Sequence, residues 1–239
     1  MTIDEPPRKA TVLHDSGWRR AGAIAALALG IGYIVIFFLY ARVGVPPTTG
    51  EAWFDYLPGK TTAWWAILAV SVFTDFLFIP VTLALFLALS KVNRIAMVVA
   101  TAFSALFIVL DLSVTWTHYA SILILYGRYA SAASDARRAS LLAAADYASA
   151  LLLSPLEVAY AIVTLSLGIL VTALVMLQAR LSKITAWLGV STGILGIASL
   201  TGLGPAIIGN ALFATAWLFA VAKMLYSSDP RSSAFIRGR

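Results

Sequence analysis

Asp75, Asp111 and Glu157 each sit inside a run of apolar residues long enough to cross a lipid bilayer. A carboxylate near the bilayer centre costs roughly 2.5–3.5 kcal/mol on insertion scales, so such acids face a bundle interior or a wet cavity. There they can hold a ligand, work as a general acid or base on an apolar substrate, or pair with basic residues of a partner subunit. Equally, a neutral Asp can hydrogen-bond Ser, Thr or Tyr across helices and help assemble the bundle. Sequence leaves the structural and the functional roles open.

Helical spacing brings further polar residues beside these acids. In the third apolar run Ser104, Asp111, Thr115 and His118 share one helical face, as do Ser71, Asp75 and Thr82 in the second. Ser154, Glu157, Tyr160 and Thr164 form a comparable stripe in the fourth. Asp75 and Asp111 lie near mid-segment, His118 and Glu157 lie toward the outer half, and Asn210 lies near the outer end of the sixth run. A polar pocket open to the outer leaflet is therefore expected, with Asp75, Asp111, Thr115, His118, Glu157, Tyr160 and Asn210 as its ligand-binding candidates. Pro80 and Pro155 read as helix-interior prolines that leave the Phe76 and Leu151 carbonyls without their usual donors. Freed backbone of this kind needs water or protein partners, which ties kinks to cavities.

The elements that position these residues follow from composition. The 239 residues are 61% hydrophobic and only 12% charged, where a soluble domain carries about a quarter charged residues. Runs over residues 21–41, 62–90, 95–126, 148–177, 184–203 and 207–225 each meet the length of about 20 residues that spans a bilayer. Strand-like alternation is missing, and helices satisfy the backbone in lipid. The fold expected is an all-α, integral membrane six-helix bundle. It comprises an N-terminal cytoplasmic segment (1–20), a six-helix transmembrane domain (21–225) and a cytoplasmic C-terminal tail (226–239). The first apolar run lacks a small-residue cleavage site, so it reads as a span and not as a cleavable leader.

Charge gives the orientation. Of the 17 Lys and Arg residues, only Arg42, Lys60, Arg128, Arg137 and Arg138 fall on one side of the six spans. The side with the excess is the cytoplasmic one, and it carries both termini. The net charge of +6 thus belongs to orientation and anionic lipid headgroups, and no nucleic-acid partner is expected. The address implied is the cell (inner) membrane, multi-pass.

Two outer connections have content. Residues 44–60 combine the turn-formers Pro46, Pro47, Thr48, Thr49 and Gly50 with Trp53, Phe54 and Tyr56, which reads as an irregular loop anchored in the interface. Residues 129–147 read as a surface helix capped by Asp135, leading into the fourth span. Gly204-Pro205 reads as a tight turn between the last two spans. Tyr119, Tyr126 and Trp116 read as packing or interfacial residues. Gly189, Gly193, Gly196 and Ser199, like Ala26, Gly30 and Gly32, have the small-residue spacing of close helix contact, within the chain or in a homo-oligomer.

Several chemistries are excluded. The chain has no cysteine, no mid-span lysine for a retinal Schiff base, and one intramembrane histidine where a two-histidine haem needs two. No H-E-x-x-H helix, Walker loop, G-x-S-x-G elbow or Asp-rich diphosphate motif occurs. No metal and no cofactor is expected, and the partners expected are membrane lipids and a small hydrophobic ligand.

The stretch from Thr74-Asp75-Phe76-Leu77-Phe78-Ile79-Pro80 through Leu83 to Lys91-Val92-Asn93-Arg94 resembles a bacterial family of polytopic membrane proteins catalogued as a domain of unknown function. A second acid follows in the third helix, as at Asp111, and a basic turn leads to a Leu-Gly pair, as at Leu188-Gly189. The resemblance covers Gly22 to Leu225. It departs from the family in the fourth helix, where Asp146-Tyr147 and then Glu157 stand in place of a His-Asp-Tyr-like patch. It implies fold and localisation, and it brings no activity.

Overall fold

The computed structural model describes residues 8–227, with side chains from Gly17 onward. The ends of the expected terminal segments, residues 1–7 and 228–239, lie outside the described residues. The elements are helices α1 (Arg8–Val43), α2 (Gly50–Tyr56), α3 (Thr61–Leu89), α4 (Arg94–Leu110), α5 (Thr117–Ala130), α6 (Asp135–Leu152), α7 (Pro155–Val158), α8 (Thr164–Gln178), α9 (Lys183–Ala198) and α10 (Gly204–Ser227). Two π-helical turns, Asp111–Trp116 and Ala159–Val163, join α4 to α5 and α7 to α8 into continuous rods. No strand occurs among the described residues.

Six rods are long and apolar enough to cross a membrane: Gly17–Val43, Thr61–Leu89, Arg94–Ala130, Pro155–Gln178, Lys183–Thr201 and Gly204–Ser227. The chain is a multi-pass membrane protein with an all-α fold. Each span packs on the next in sequence, and the last returns to the first, so the pairs α1–α3, α3–α4, α4–α8, α8–α9, α9–α10 and α10–α1 close a ring. Its outer faces carry the apolar side chains that lipid requires, such as Phe38 (67% exposed) and Val109 (62% exposed).

Small residues set the spacing inside the ring. A Cβ on Gly189 would lie 2.7 Å from Ala173 Cβ and 2.8 Å from Trp217 Nε1, and one on Gly196 would fall onto Ser166 Oγ. The glycine face of α9 is thus used against α8 and α10 of the same chain. Gly22 and Gly32 of α1 press in the same way on Ala84 and Thr74 of α3.

Several local expectations are corrected. Residues 148–152 belong to α6, not to the fourth span, which begins at Pro155. Pro155 is not a helix-interior proline. It starts α7, with Ser154 as N-cap accepting from Leu156 N, a position where a missing N–H costs nothing. The Leu151 carbonyl accepts from Ser154 N at 3.2 Å. Pro80 does lie inside α3. Ser134, not Asp135, caps α6, and Asp135 pairs with Arg138 at 3.7 Å. The turn before α10 is made by Gly202 (φ +72°), while Gly204 and Pro205 already belong to α10.

Residues 44–60 are not an irregular lipid anchor. They fold α2 onto the bundle's end, where Trp53, Phe54 and Leu57 are buried. Gly50 permits this, because its N–H donates to Asp146 Oδ1 at 2.5 Å and any Cβ there would meet Asp146 N at 2.6 Å. Tyr56 donates to Val43 O at 2.7 Å and accepts from Trp64 Nε1 at 3.3 Å. Burial pushes its phenol above the ordinary range, against the opposing effect of the Trp64 bond, so the hydroxyl keeps the proton it donates.

The α8–α9 turn holds the one non-glycine residue with positive φ among the described residues, Arg180 at +50°. Left-handed backbone costs an ordinary residue roughly 1–2 kcal/mol.

Candidate functional site

Asp75 lies midway along α3 and Asp111 midway along the α4–α5 rod. Both are buried, 3% and 4% exposed. Trp116 Nε1 stands between them, 2.9 Å from Asp75 Oδ2 and 3.0 Å from Asp111 Oδ2, so one N–H serves two carboxyl groups. The two carboxyls thus meet at a single indole N–H between α3 and the α4–α5 rod.

The local backbone makes this possible. In a regular α-helix a residue five positions on points roughly 140° away from the first. The π-helical turn Asp111–Trp116 widens the coil to an i→i+5 pattern, which stacks Trp116 above Asp111. Carbonyls loosened by the wide turn are taken by nearby hydroxyls: Ser113 Oγ donates to Val109 O at 2.6 Å and Thr117 Oγ1 to Leu112 O at 2.8 Å. A column of aromatic rings in contact holds the indole in place. Tyr119 lies 5.7 Å from Trp116, Trp64 lies 5.1 Å from Tyr119, and Trp53 of α2 lies 5.0 Å from Trp64. This column runs from the acid pair to the buried aromatic residues of α2.

The other flank of Asp111 leads to the fourth span. Thr115 Oγ1, one turn along, donates to Glu157 Oε1 at 3.2 Å. Glu157 is half-buried in α7, just after the α6–α7 break, with Leu153 and Leu156 exposed beside it. A second π-helical turn, Ala159–Val163, follows immediately. Two of the three acids therefore sit where regular α-helical bonding is interrupted, Asp111 at one π turn and Glu157 beside the other.

The cluster is short of donors. Trp116 Nε1 and Thr115 Oγ1 are the side-chain donors bonded to its three carboxyl groups. Asp111 Oδ1 is fully buried and receives no hydrogen bond, and the buried Ser71 Oγ, one turn before Asp75, also has no partner. Buried polar atoms are nearly always satisfied, so an orphaned one asks for an explanation, such as a bound ion or water. No group of three His, Cys, Asp or Glu with metal-binding geometry occurs among the described residues.

Of the residues singled out from sequence, Asp75, Asp111, Thr115 and Glu157 come together. His118 does not join them: its Nδ1 meets Val114 O of its own helix and its ring lies 6.5 Å from Tyr147, because the π turn rotates α5 relative to α4. Tyr160 contributes a backbone acceptor to Thr164. Asn210 lies apart, donating to Ser166 Oγ at 3.1 Å and Thr192 O at 2.8 Å, where it ties α10 to α8 and α9. Trp116 is the residue sequence reasoning missed. Its i+5 offset from Asp111 gives no shared face in an α-helix, and nothing in the sequence marks the π turn.

No family model, no curated protein and no solved structure matches the chain.

Proposed function

We propose that the chain binds a small ligand in its intramembrane acid cluster, acting as a sensor or transporter-like protein. The observation that carries this reading is the orphaned, buried Asp111 Oδ1 beside a second carboxyl that shares its one donor. A site rich in carboxyl oxygens and poor in donors suits a ligand that brings an N–H group or a positive charge on an otherwise apolar body. The exposed apolar rim around Glu157 gives such a molecule an approach from the outer half of the membrane. An accessory subunit that used its acids to pair with a partner would present them on a lipid-facing surface. The burial of Asp75 and Asp111 argues against that role.

The reading includes a cytoplasmic location for both termini and residence in the cell (inner) membrane, supported by the excess of Lys and Arg on one side of the spans. It also keeps the resemblance of residues 74–94 to the bacterial family described above, which carries no activity with it. Purification in mild detergent followed by extraction and mass spectrometry tests the proposal. A stoichiometric small molecule with an amine or other donor is expected, and adding it back should raise the unfolding midpoint by mass action. A purified, folded protein that carries no such molecule, and gains no stability from donor-bearing amphiphiles, would contradict the proposal.

A further inference from the structure

The turn from α8 to α9 holds a feature unrelated to the acids. Arg180 N donates to Leu177 O and Leu181 N to Met176 O, both at 3.2 Å. These are the paired bonds of a Schellman ending, whose left-handed residue is usually glycine. Here it is an arginine, with φ +50°. An ordinary side chain kept in that conformation points to a use for it.

Beside it lies a recess of about 400 Å³ lined by Leu177, Arg180, Leu181, Lys183 and Trp187. Arg180 and Lys183 are exposed, and among the described residues no carboxylate pairs with either. The flanking spans end at Gln178 and begin at Lys183, which sets the recess at headgroup level, on the side rich in basic residues. Trp187 lies one turn into α9 from Lys183, 59% exposed, in the position of an interfacial aromatic. Two cations above an apolar floor match an anion joined to a hydrocarbon body. A free soluble anion would have no use for Leu181 and Trp187.

We propose that this recess binds the headgroup phosphate of an anionic phospholipid. Arg180 presents its planar fork to the phosphate oxygens, Lys183 adds a point charge, and the upper acyl chain lies along Leu177, Leu181 and Trp187. Ser182 caps α9, so the helix also directs its positive end toward the same phosphate.

Full-length protein in neutral detergent, titrated with phosphatidylglycerol or phosphatidylcholine and read by native mass spectrometry, tests this. At about 1 kcal/mol per basic residue, two cations favour the anionic lipid roughly thirty-fold, and losing one leaves roughly five-fold. Arg180→Gly removes the cation while relaxing the left-handed backbone, so the fold is kept. Lys183→Gln removes the second charge. The double variant should lose the preference while its midpoint stays at or above the parent's, and Arg180→Lys should fall between parent and Arg180→Gly in its preference. Inorganic phosphate at millimolar concentration should not displace the lipid. An equal preference in parent and double variant, no preference in the parent, or displacement by phosphate alone would each overturn the proposal.

Discussion

Replacing Trp116 by Phe removes one N–H and leaves most of the ring. That N–H is the shared donor of Asp75 and Asp111, at 2.9 and 3.0 Å. Interhelical polar bonds in membrane proteins average about 0.6 kcal/mol and reach about 1.7, and of these two only the bond to Asp75 crosses between spans, since Trp116 and Asp111 share one rod. Phe keeps the contact with Tyr119, which limits the packing loss because Trp116 is only half-buried. We expect a loss of about 1 kcal/mol, which for a chain of this size lowers the midpoint by roughly 2–4 °C. Thermal unfolding in mild detergent, followed by far-ultraviolet circular dichroism, measures it. Asp75→Asn places an amide donor of the carboxyl's shape at the point where both acids meet the indole N–H, so Asp75→Asn with Trp116→Phe should be less destabilised than the sum of the two single changes. A midpoint within about 1 °C of the parent for Trp116→Phe, or strict additivity in the pair, would refute the bridging role.

Other substitutions probe the scaffold. Gly196→Ala drives a Cβ onto Ser166 Oγ and to 2.9 Å from Asn210 Nδ2, so it should cost about 1–3 kcal/mol as overpacking, read as a lower midpoint. Gly50→Ala meets backbone atoms of Asp146 and Leu142 at 2.6 and 2.9 Å, which cannot yield as a side chain would. It should undock α2 and speed proteolysis between Val43 and Thr61, with little change in total helix content. Reporter fusions after Arg239 and within residues 50–60 should give opposite signals, and equal signals would overturn the orientation.

The bundle was legible because span length and apolar content are direct demands of lipid, and 61% hydrophobic residues leave few alternatives. Asp75, Asp111, Thr115 and Glu157 could be named because mid-span acids are costly wherever they occur. What escaped was register. A π turn changes which residues share a face without a composition signal, so Trp116 was hidden and His118 was placed on the wrong side. Pro155 misled because a proline reads alike inside a helix and at its first position, and Ser154 before it decides which. The loop at residues 44–60 misled because interfacial aromatics and a buried aromatic cap have the same composition. Only the close approach that Gly50 allows onto α6 distinguishes them.

Ligand retention by Asp111→Asn tests the central claim most directly. An amide keeps the size of the carboxyl and the ability to accept from Trp116, but its NH2 adds donors where Asp111 Oδ1 now waits for one. If that oxygen holds the ligand, the variant should keep a midpoint within a few degrees of the parent and lose the copurifying molecule in native mass spectrometry. An Asp111→Asn protein that is equally stable and retains its ligand as the parent does would contradict the claim and leave the acids as interhelical contacts alone.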